Sequence, residues 1–288
     1  LLALKALEAF LLICAGYILW RVMGIHGFVL EQKAKLMIFL AWNPFLLHAT
    51  LVDGHNDIIL LIAMLISYYF LLKECYHYSI ISLILGGFVK YVSLLALPIP
   101  IFFLAISRLP VREKLFKLGS IVTLSLLLLF LVYAPFGGLR QENLQGVTHE
   151  ITMQGGSLRN NNQIILTALT FAALRHYVSF DLYHIRTIGL VIGTVLVGYF
   201  IWKRNIIGGY VYPYMFIFSF ATPWFWPWYA LWIFPLLAIM VSFSSLIVIS
   251  AFLMIALGAF STAQLSLIFL LGALYYGIIF CSNILTKK

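Results

Sequence analysis

The sequence predicts an all-α protein, a polytopic bundle of transmembrane helices. Of its 288 residues, 64% are hydrophobic and 9% are charged, and the mean hydropathy is +1.06. Soluble domains carry about 25% charged residues, so a chain with so few cannot cover a folded surface with polar groups. The apolar residues form continuous runs and do not alternate as they do in a transmembrane barrel. Helices of about 20 residues are therefore the predicted spanning elements.

The apolar runs predict about ten or eleven membrane segments. Their ranges are 4–20, 36–52, 58–72, 79–107, 118–136, 183–202, 206–222, 229–243, 246–260 and 265–283. The run 79–107 is too long for one upright helix. It contains Gly86-Gly87, Lys90 and two prolines, which predict a broken helix or a hairpin of two short helices.

No soluble domain is visible, so residues 1–288 are predicted to form a single membrane domain. Within it, residues 136–182 are expected to form an outer loop followed by an interfacial helix. That helix is predicted over 164–180, because the segment is short and ends in Arg175-His176. The loop 137–163 is interpreted as a solvated loop or as a lid over a cavity.

Clusters of Lys and Arg predict the orientation, because cytoplasmic loops carry the excess of basic residues. They fall in 21–35 and 108–117, at Lys203-Arg204 and at Lys287-Lys288, and all four can lie on the cytoplasmic side. The net charge of +9 then reflects membrane topology and not a nucleic-acid partner. Three polar or aromatic regions are left on the opposite face: 53–57, 137–163 and 223–229.

The cysteines and the start of the chain carry less information. Cys14, Cys75 and Cys281 lie far apart, in or beside apolar runs, and are predicted to be small apolar residues without a disulfide or a metal. The chain begins with Leu1 inside a hydrophobic segment and shows neither the charged leader nor the cleavage site of a signal peptide. We therefore expect upstream residues that this sequence does not contain.

The polar stretch Asp53-Gly54-His55-Asn56-Asp57 interrupts two apolar runs. In one interpretation Gly54 makes a tight turn, and Asn56 or Asp57 caps the helix that begins at Ile58. In the other, Asp53, His55 and Asp57 face a polar cavity at a helix N-terminus, which favours a phosphate. The spacing matches no strong metal-ligand pattern, so neither a metal nor another cofactor is predicted.

Two further elements have alternative interpretations. Lys90 could extend its ammonium to the head-group layer, or it could bind a phosphate from within the bundle near the level of Asp57. The aromatic cluster 224–232 could be an interfacial belt. Alternatively, Trp228 or Tyr229 could stack on a sugar or line a lipid groove.

Three motifs together resemble a known family. Asn43-Pro44, His48 and Gly54-His55-Asn56-Asp57 look like the Asn-Pro…Gly-His-Asn-Asp/Glu signature of membrane-embedded glycosyltransferases of the GT-C type. Residues 90–98 resemble a Lys…Pro segment, and 227–235 resemble a Pro-Trp-Tyr-x-x-Trp-x-x-Pro segment. The resemblance, spread over 42–235 in the family's order, is to bacterial and archaeal mannosyltransferases that depend on polyprenol-phosphate-mannose.

The resemblance implies a GT-C-like bundle in the cell membrane that transfers a hexose, mannose, from a polyprenyl-phosphate carrier to an acceptor glycan or lipid. Transfer would be inverting, independent of metal and on the non-cytoplasmic face, with a carboxylate as the base. The catalytic candidates are Asp57 and Asp53. The candidates for substrate binding are His55, Asn56, Lys90, His48, Trp228 and Tyr229.

One departure from the family keeps an alternative open. The family's catalytic carboxylate usually lies in the first outer loop, upstream of the Asn-Pro signature. Residues 1–41 hold only Glu8 and Glu31, and neither matches that loop. The base could lie upstream of Leu1, Asp53 or Asp57 could act instead, or the chain could be a non-catalytic GT-C-like subunit with partner membrane subunits. A transporter is disfavoured, because no inverted repeat is visible.

Overall fold

The computed structural model describes residues 2–136, 182–220 and 227–258, and within these ranges it contains helices and turns but no strand. The α-helices are α1 (Leu2–Ile25), α2 (Leu30–Ala41), α3 (Pro44–Leu47), α4 (Asp57–Leu72), α5 (Tyr76–Val89), α6 (Pro98–Ile106), α7 (Val111–Tyr133), α8 (Leu182–Trp202), α9 (Ile206–Phe220), α10 (Phe234–Met240) and α11 (Phe243–Gly258). A π-helix spans His48–Val52, and 3₁₀ helices span Tyr91–Ala96, Ala134–Phe136 and Pro227–Trp232.

Several helices have the length and composition of membrane spans. Helices α1 and α7 are each long and apolar enough to cross a membrane. The pair Leu30–Ala41 and Pro44–Val52, bent by 46°, would make a third span if it crosses as one element. Five shorter apolar helices accompany them among the described residues. The all-α class and the presence of membrane-type helices are thus confirmed.

Helix α4 is the centre of the fold. Its buried residues include Ile58, Leu61, Met64, Leu65 and Tyr68, which lie on several sides of the helix. A helix that is apolar all round is either buried among other elements or faces lipid, and the burial of α4 on several sides places it in the first class. Helices α1 and α5 and the 3₁₀ helix Pro227–Trp232 pack around it. Helix α7, in contrast, exposes apolar side chains along its length. An apolar surface of this kind is what a helix needs where it contacts lipid.

The long apolar run breaks at Lys90, as predicted. Helix α5 ends at Val89, and Lys90 is extended with φ −147° and ψ 121°. The 3₁₀ helix Tyr91–Ala96 then folds back on α5. Close packing at the two glycines permits this return, since a Cβ on Gly86 would lie 3.2 Å from the Cβ of Ser93 and one on Gly87 2.8 Å from Leu94 Cδ2. The hairpin is therefore confirmed.

The predicted span 229–243 is wrong. The structure divides it into the 3₁₀ helix Pro227–Trp232 and the seven-residue helix α10, which ends before Val241 and is too short to cross a bilayer. Pro235 accounts for the division, because proline has no N–H to continue a helix from the preceding turn. The loop 137–163, the helix 164–180, the segment 265–283 and Cys281 lie outside the described residues.

Buried polar groups at the end of α4 away from Asp57 satisfy one another. The hydroxyl of Tyr210 lies 2.6 Å from Ser67 Oγ, which is 2.9 Å from Ser79 Oγ. The hydroxyl of Tyr68 lies 2.8 Å from Nε2 of His26, in the turn after α1. These bonds fix α4 against α1, α5 and α9, because an unpaired polar group would be costly in a buried position.

Candidate functional site

The site begins with a short helical segment that precedes the polar turn. Asn43 starts α3, because its side chain accepts a hydrogen bond of 3.1 Å from Leu46 N and donates one of 2.8 Å to Ser250 Oγ. The following turns widen into the π-helix His48–Val52, in which Asp53 N donates to His48 O at 2.9 Å. Single π turns recur at functional sites, where they reorient the residues that follow.

Asp53 and its two histidines form the accessible part of the turn. Oδ2 of Asp53 lies 3.2 Å from His48 Nδ1 and 3.8 Å from His55 Nε2, and each of the three side chains is partly exposed. Burial lowers the pKa of His55, although the negative charges of Asp57 and Asp53 act in the opposite direction. Of the two histidines, only His48 lies within hydrogen-bonding distance of the Asp53 carboxylate.

Asp57 and Lys90 form a buried ion pair beneath this turn. Lys90 Nζ lies 2.6 Å from Asp57 Oδ1, which also accepts a hydrogen bond from Trp232 Nε1. The Asp57 side chain is fully buried, and its Oδ2 accepts no hydrogen bond from any described residue. The capping prediction is wrong for Asn56, whose side chain makes no capping bond, while Asp57 lies inside the first turn of α4.

Aromatic rings enclose the Lys90 ammonium. Its Nζ lies 4.9 Å from the ring centroid of Tyr229 and 5.3 Å from that of Trp232, and these two rings stack with centroids 4.8 Å apart. The 3₁₀ helix explains this pairing, because residues three apart lie directly above one another at three residues per turn. Trp228 stacks on His55, with centroids 4.0 Å apart, and so joins the aromatic segment to the polar turn.

Lys5 and Glu8 of α1 complete the cluster, and the sequence reasoning did not identify them as site residues. Lys5 Nζ lies 3.2 Å from Glu8 Oε2 and donates a hydrogen bond of 3.1 Å to the carbonyl of Val52. Gly54, at φ +69°, rests against both side chains. The sequence does contain a signal for them: two opposite charges three residues apart in an otherwise apolar first half of the helix.

The structure thus brings the predicted residues His48, Asp53, His55, Asp57, Lys90, Trp228 and Tyr229 into one cluster, with Asn56 in the same turn. No group of three or more His, Cys, Asp or Glu side chains in the described ranges is arranged to hold a metal ion. Comparisons with protein-family models, curated proteins and solved structures found no match to this chain.

Proposed function

We propose that this protein is a membrane-embedded glycosyltransferase. It would move a hexose, mannose in our proposal, from a polyprenyl-phosphate donor to an acceptor glycan or lipid on the non-cytoplasmic face of the cell membrane. The polytopic GT-C-like arrangement of the helices belongs to the same proposal. The proposal is based on three features that lie close together. These are the Lys90 ammonium next to two aromatic rings, the partly exposed carboxylate of Asp53, and the stacked rings of Tyr229 and Trp232.

Lys90 is suited to hold the carrier phosphate. Its ammonium has three donors, and Asp57 Oδ1 occupies one of them. The side chain is 27% exposed, so Lys90 is not sealed within the bundle as Asp57 is. The leaving polyprenyl phosphate gains negative charge as the glycosidic bond breaks, and a fixed cation stabilises that developing charge.

Asp53 is the better placed of the two predicted catalytic carboxylates. Asp57 is fully buried and engaged by Lys90 and Trp232, whereas Asp53 is 28% exposed. In the proposed step the acceptor hydroxyl oxygen attacks the anomeric carbon, the bond from that carbon to the phosphate oxygen breaks, and Asp53 takes the hydroxyl proton. Asp57 would instead position Lys90.

The remaining candidates fit roles in substrate binding. His55 and Trp228 form a stacked surface beside Asp53, which suits the apolar face of a sugar ring. His48 holds Asp53 from the other side at 3.2 Å. Tyr229 borders the Lys90 ammonium, where the head of the carrier would lie.

A non-catalytic GT-C-like subunit is the second candidate, and one observation favours it. The charge of Lys90 is already compensated by Asp57, which is the arrangement expected of a purely structural ion pair. Such a subunit would turn over no carrier lipid and would copurify with a partner membrane protein.

Carrier turnover by the purified full-length protein in lipid nanodiscs tests the proposal. Radiolabelled undecaprenyl-phosphate-mannose serves as the donor, and glycolipids extracted from the membranes of the source organism serve as acceptors. The release of free undecaprenyl phosphate is measured. We expect Asp53→Asn to reduce transfer about 10²- to 10⁴-fold, the usual contribution of a general base. Lys90→Gln should reduce transfer and raise the donor KM.

Glu113→Gln and Lys117→Gln are the matched controls. They alter a carboxylate and an ammonium of a separate ion pair on α7, with Nζ and Oε1 2.8 Å apart. Both should retain wild-type transfer. Wild-type rates in Asp53→Asn would refute the role of that carboxylate, and a wild-type protein that releases no carrier would leave the subunit as the better interpretation.

A further inference from the structure

The first turns of helix α1 carry two charges, on Lys5 and Glu8, that a lipid-facing helix does not need. Glu8 is 5% exposed, whereas its neighbours Leu4 and Leu7 are each about half exposed. A carboxylate within a membrane segment is costly unless it is paired or used. Its partner Lys5 lies one turn earlier, with Nζ 3.2 Å from Glu8 Oε2.

Lys5 connects this pair to the site. Besides Glu8, its ammonium binds the carbonyl of Val52 at 3.1 Å, across 47 residues of sequence. Val52 is the last residue of the π-helix, and carbonyls at the end of a helix lack partners within it. Lys5 therefore supplies the missing donor and ties α1 to the segment that immediately precedes Asp53.

Gly54 fits against the same two side chains. It adopts φ +69°, and a Cβ there would lie 2.8 Å from Lys5 Nζ and 3.0 Å from Glu8 Oε1. A side chain at position 54 would therefore displace the ends of Lys5 and Glu8. The backbone of the turn thus lies directly on the ion pair, with Asp53 on one side of the contact and His55 on the other.

We infer that Lys5 and Glu8 form a clamp that positions the Gly54 turn, and with it Asp53 and His55, for the transfer reaction. The inference rests on the proposed function for its catalytic part. Lys5 and Glu8 are positioning residues: they hold the backbone from which the proposed base and its stacked histidine project, and they take no part in proton transfer themselves.

Hydrogen exchange followed by mass spectrometry tests the clamp independently of activity. The full-length protein in nanodiscs is compared with Glu8→Gln and Lys5→Met. We expect the backbone amides of 53–57 to exchange about three- to tenfold faster in both variants, the range for loss of an ion pair and a charged hydrogen bond. Lys5→Arg keeps the cation and its donors and should restore slow exchange.

Donor kinetics supply the second readout. With the clamp released, kcat should fall by a similar factor of about three to ten, while the donor KM should change less than kcat because Lys90, the proposed phosphate ligand, is untouched. A general loss of folding would instead speed exchange throughout the chain. Glu113→Gln, which breaks the separate pair with Lys117, is the control and should leave exchange at 53–57 unchanged.

The outcomes separate the two ideas. If the backbone amides of 53–57 exchange at the wild-type rate in Glu8→Gln, the clamp is overturned, whether or not the protein has transfer activity. Faster exchange with unchanged kcat overturns the positioning role. A wild-type protein without transfer activity overturns the proposed function and the catalytic part of this inference, while the exchange data still decide whether Lys5 and Glu8 hold the turn.

Discussion

The ion pair of Asp57 and Lys90 should respond unequally to the loss of its two partners. Replacing Lys90 by Met leaves the fully buried carboxylate of Asp57 without its cation, with the indole N–H of Trp232 as a hydrogen-bond donor. Removing one partner of a buried pair costs about 3–5 kcal/mol. Replacing Asp57 by Asn leaves an ammonium that is 27% exposed and enclosed by Tyr229 and Trp232, so we expect a cost of about 1–2 kcal/mol.

The double variant makes the test quantitative. With Lys90→Met and Asp57→Asn together, no charge remains unpaired, and the loss should be smaller than the sum of the single losses by about 1–3 kcal/mol. The neutral amide that Asp57→Asn introduces can still accept the hydrogen bond from Trp232, so the aromatic segment keeps its attachment to α4.

Unfolding free energies measured by SDS titration in mixed micelles, with helicity followed by circular dichroism, provide the assay. Lys117→Met and Glu113→Gln are the controls. Their pair is partly exposed, with 24% and 44% of the side chains accessible, and each change should cost less than about 1 kcal/mol. A larger loss for Asp57→Asn than for Lys90→Met, or strict additivity in the double variant, would refute the reasoning.

Three further outcomes are expected in the same unfolding assay. Gly54→Ala and Gly27→Ala should each cost about 1–2 kcal/mol, because both residues have positive φ. Gly54→Ala should cost more, because only Gly54 contacts the ion pair, and equal losses would contradict the clamp geometry. Asn43→Ala should cost about 1–3 kcal/mol, and adding Ser250→Ala should cost little more, since the bond between them is already lost. Burial lowers the pKa of His55, so the native state binds fewer protons than the unfolded chain below about pH 6.5. Stability should be retained above that pH and fall below it, and His55→Asn should make this fall less steep; identical pH profiles would refute the assignment.

Local signals in the sequence predicted the break in the long apolar run correctly. Gly86-Gly87, Lys90 and the prolines are unfavourable in a continuous span, so the hairpin could be expected without knowledge of its neighbours. The same hairpin predicted that Lys90 lies near Asp57, and the two side chains are 2.6 Å apart. Both predictions depend on chain segments that lie close in sequence.

The sequence predicted that 53–57 and 223–229 lie on one face, but it did not predict the individual contacts between distant segments. The complete burial of Asp57 follows from Trp232, which lies 175 residues later, and the role of Lys5 follows from its contact with Val52 across 47 residues. The bond from Trp232 to Asp57 likewise places the 3₁₀ helix Pro227–Trp232 against α4. Hydropathy measures how apolar a segment is, but it carries no information on which partner will cover it.

The two partners of Asp57 are synthesised at different times, because they lie at different distances along the sequence. Lys90 follows Asp57 by 33 residues and Trp232 follows it by 175. At about 5–20 residues per second, Lys90 is synthesised within about 2–7 s, whereas Trp232 takes about 9–35 s. The carboxylate of Asp57 can therefore be neutralised by Lys90 while the nascent chain is still being inserted. Trp232 is synthesised later, so in the interval Lys90 is the partner, of the two described, that compensates the charge at this end of α4.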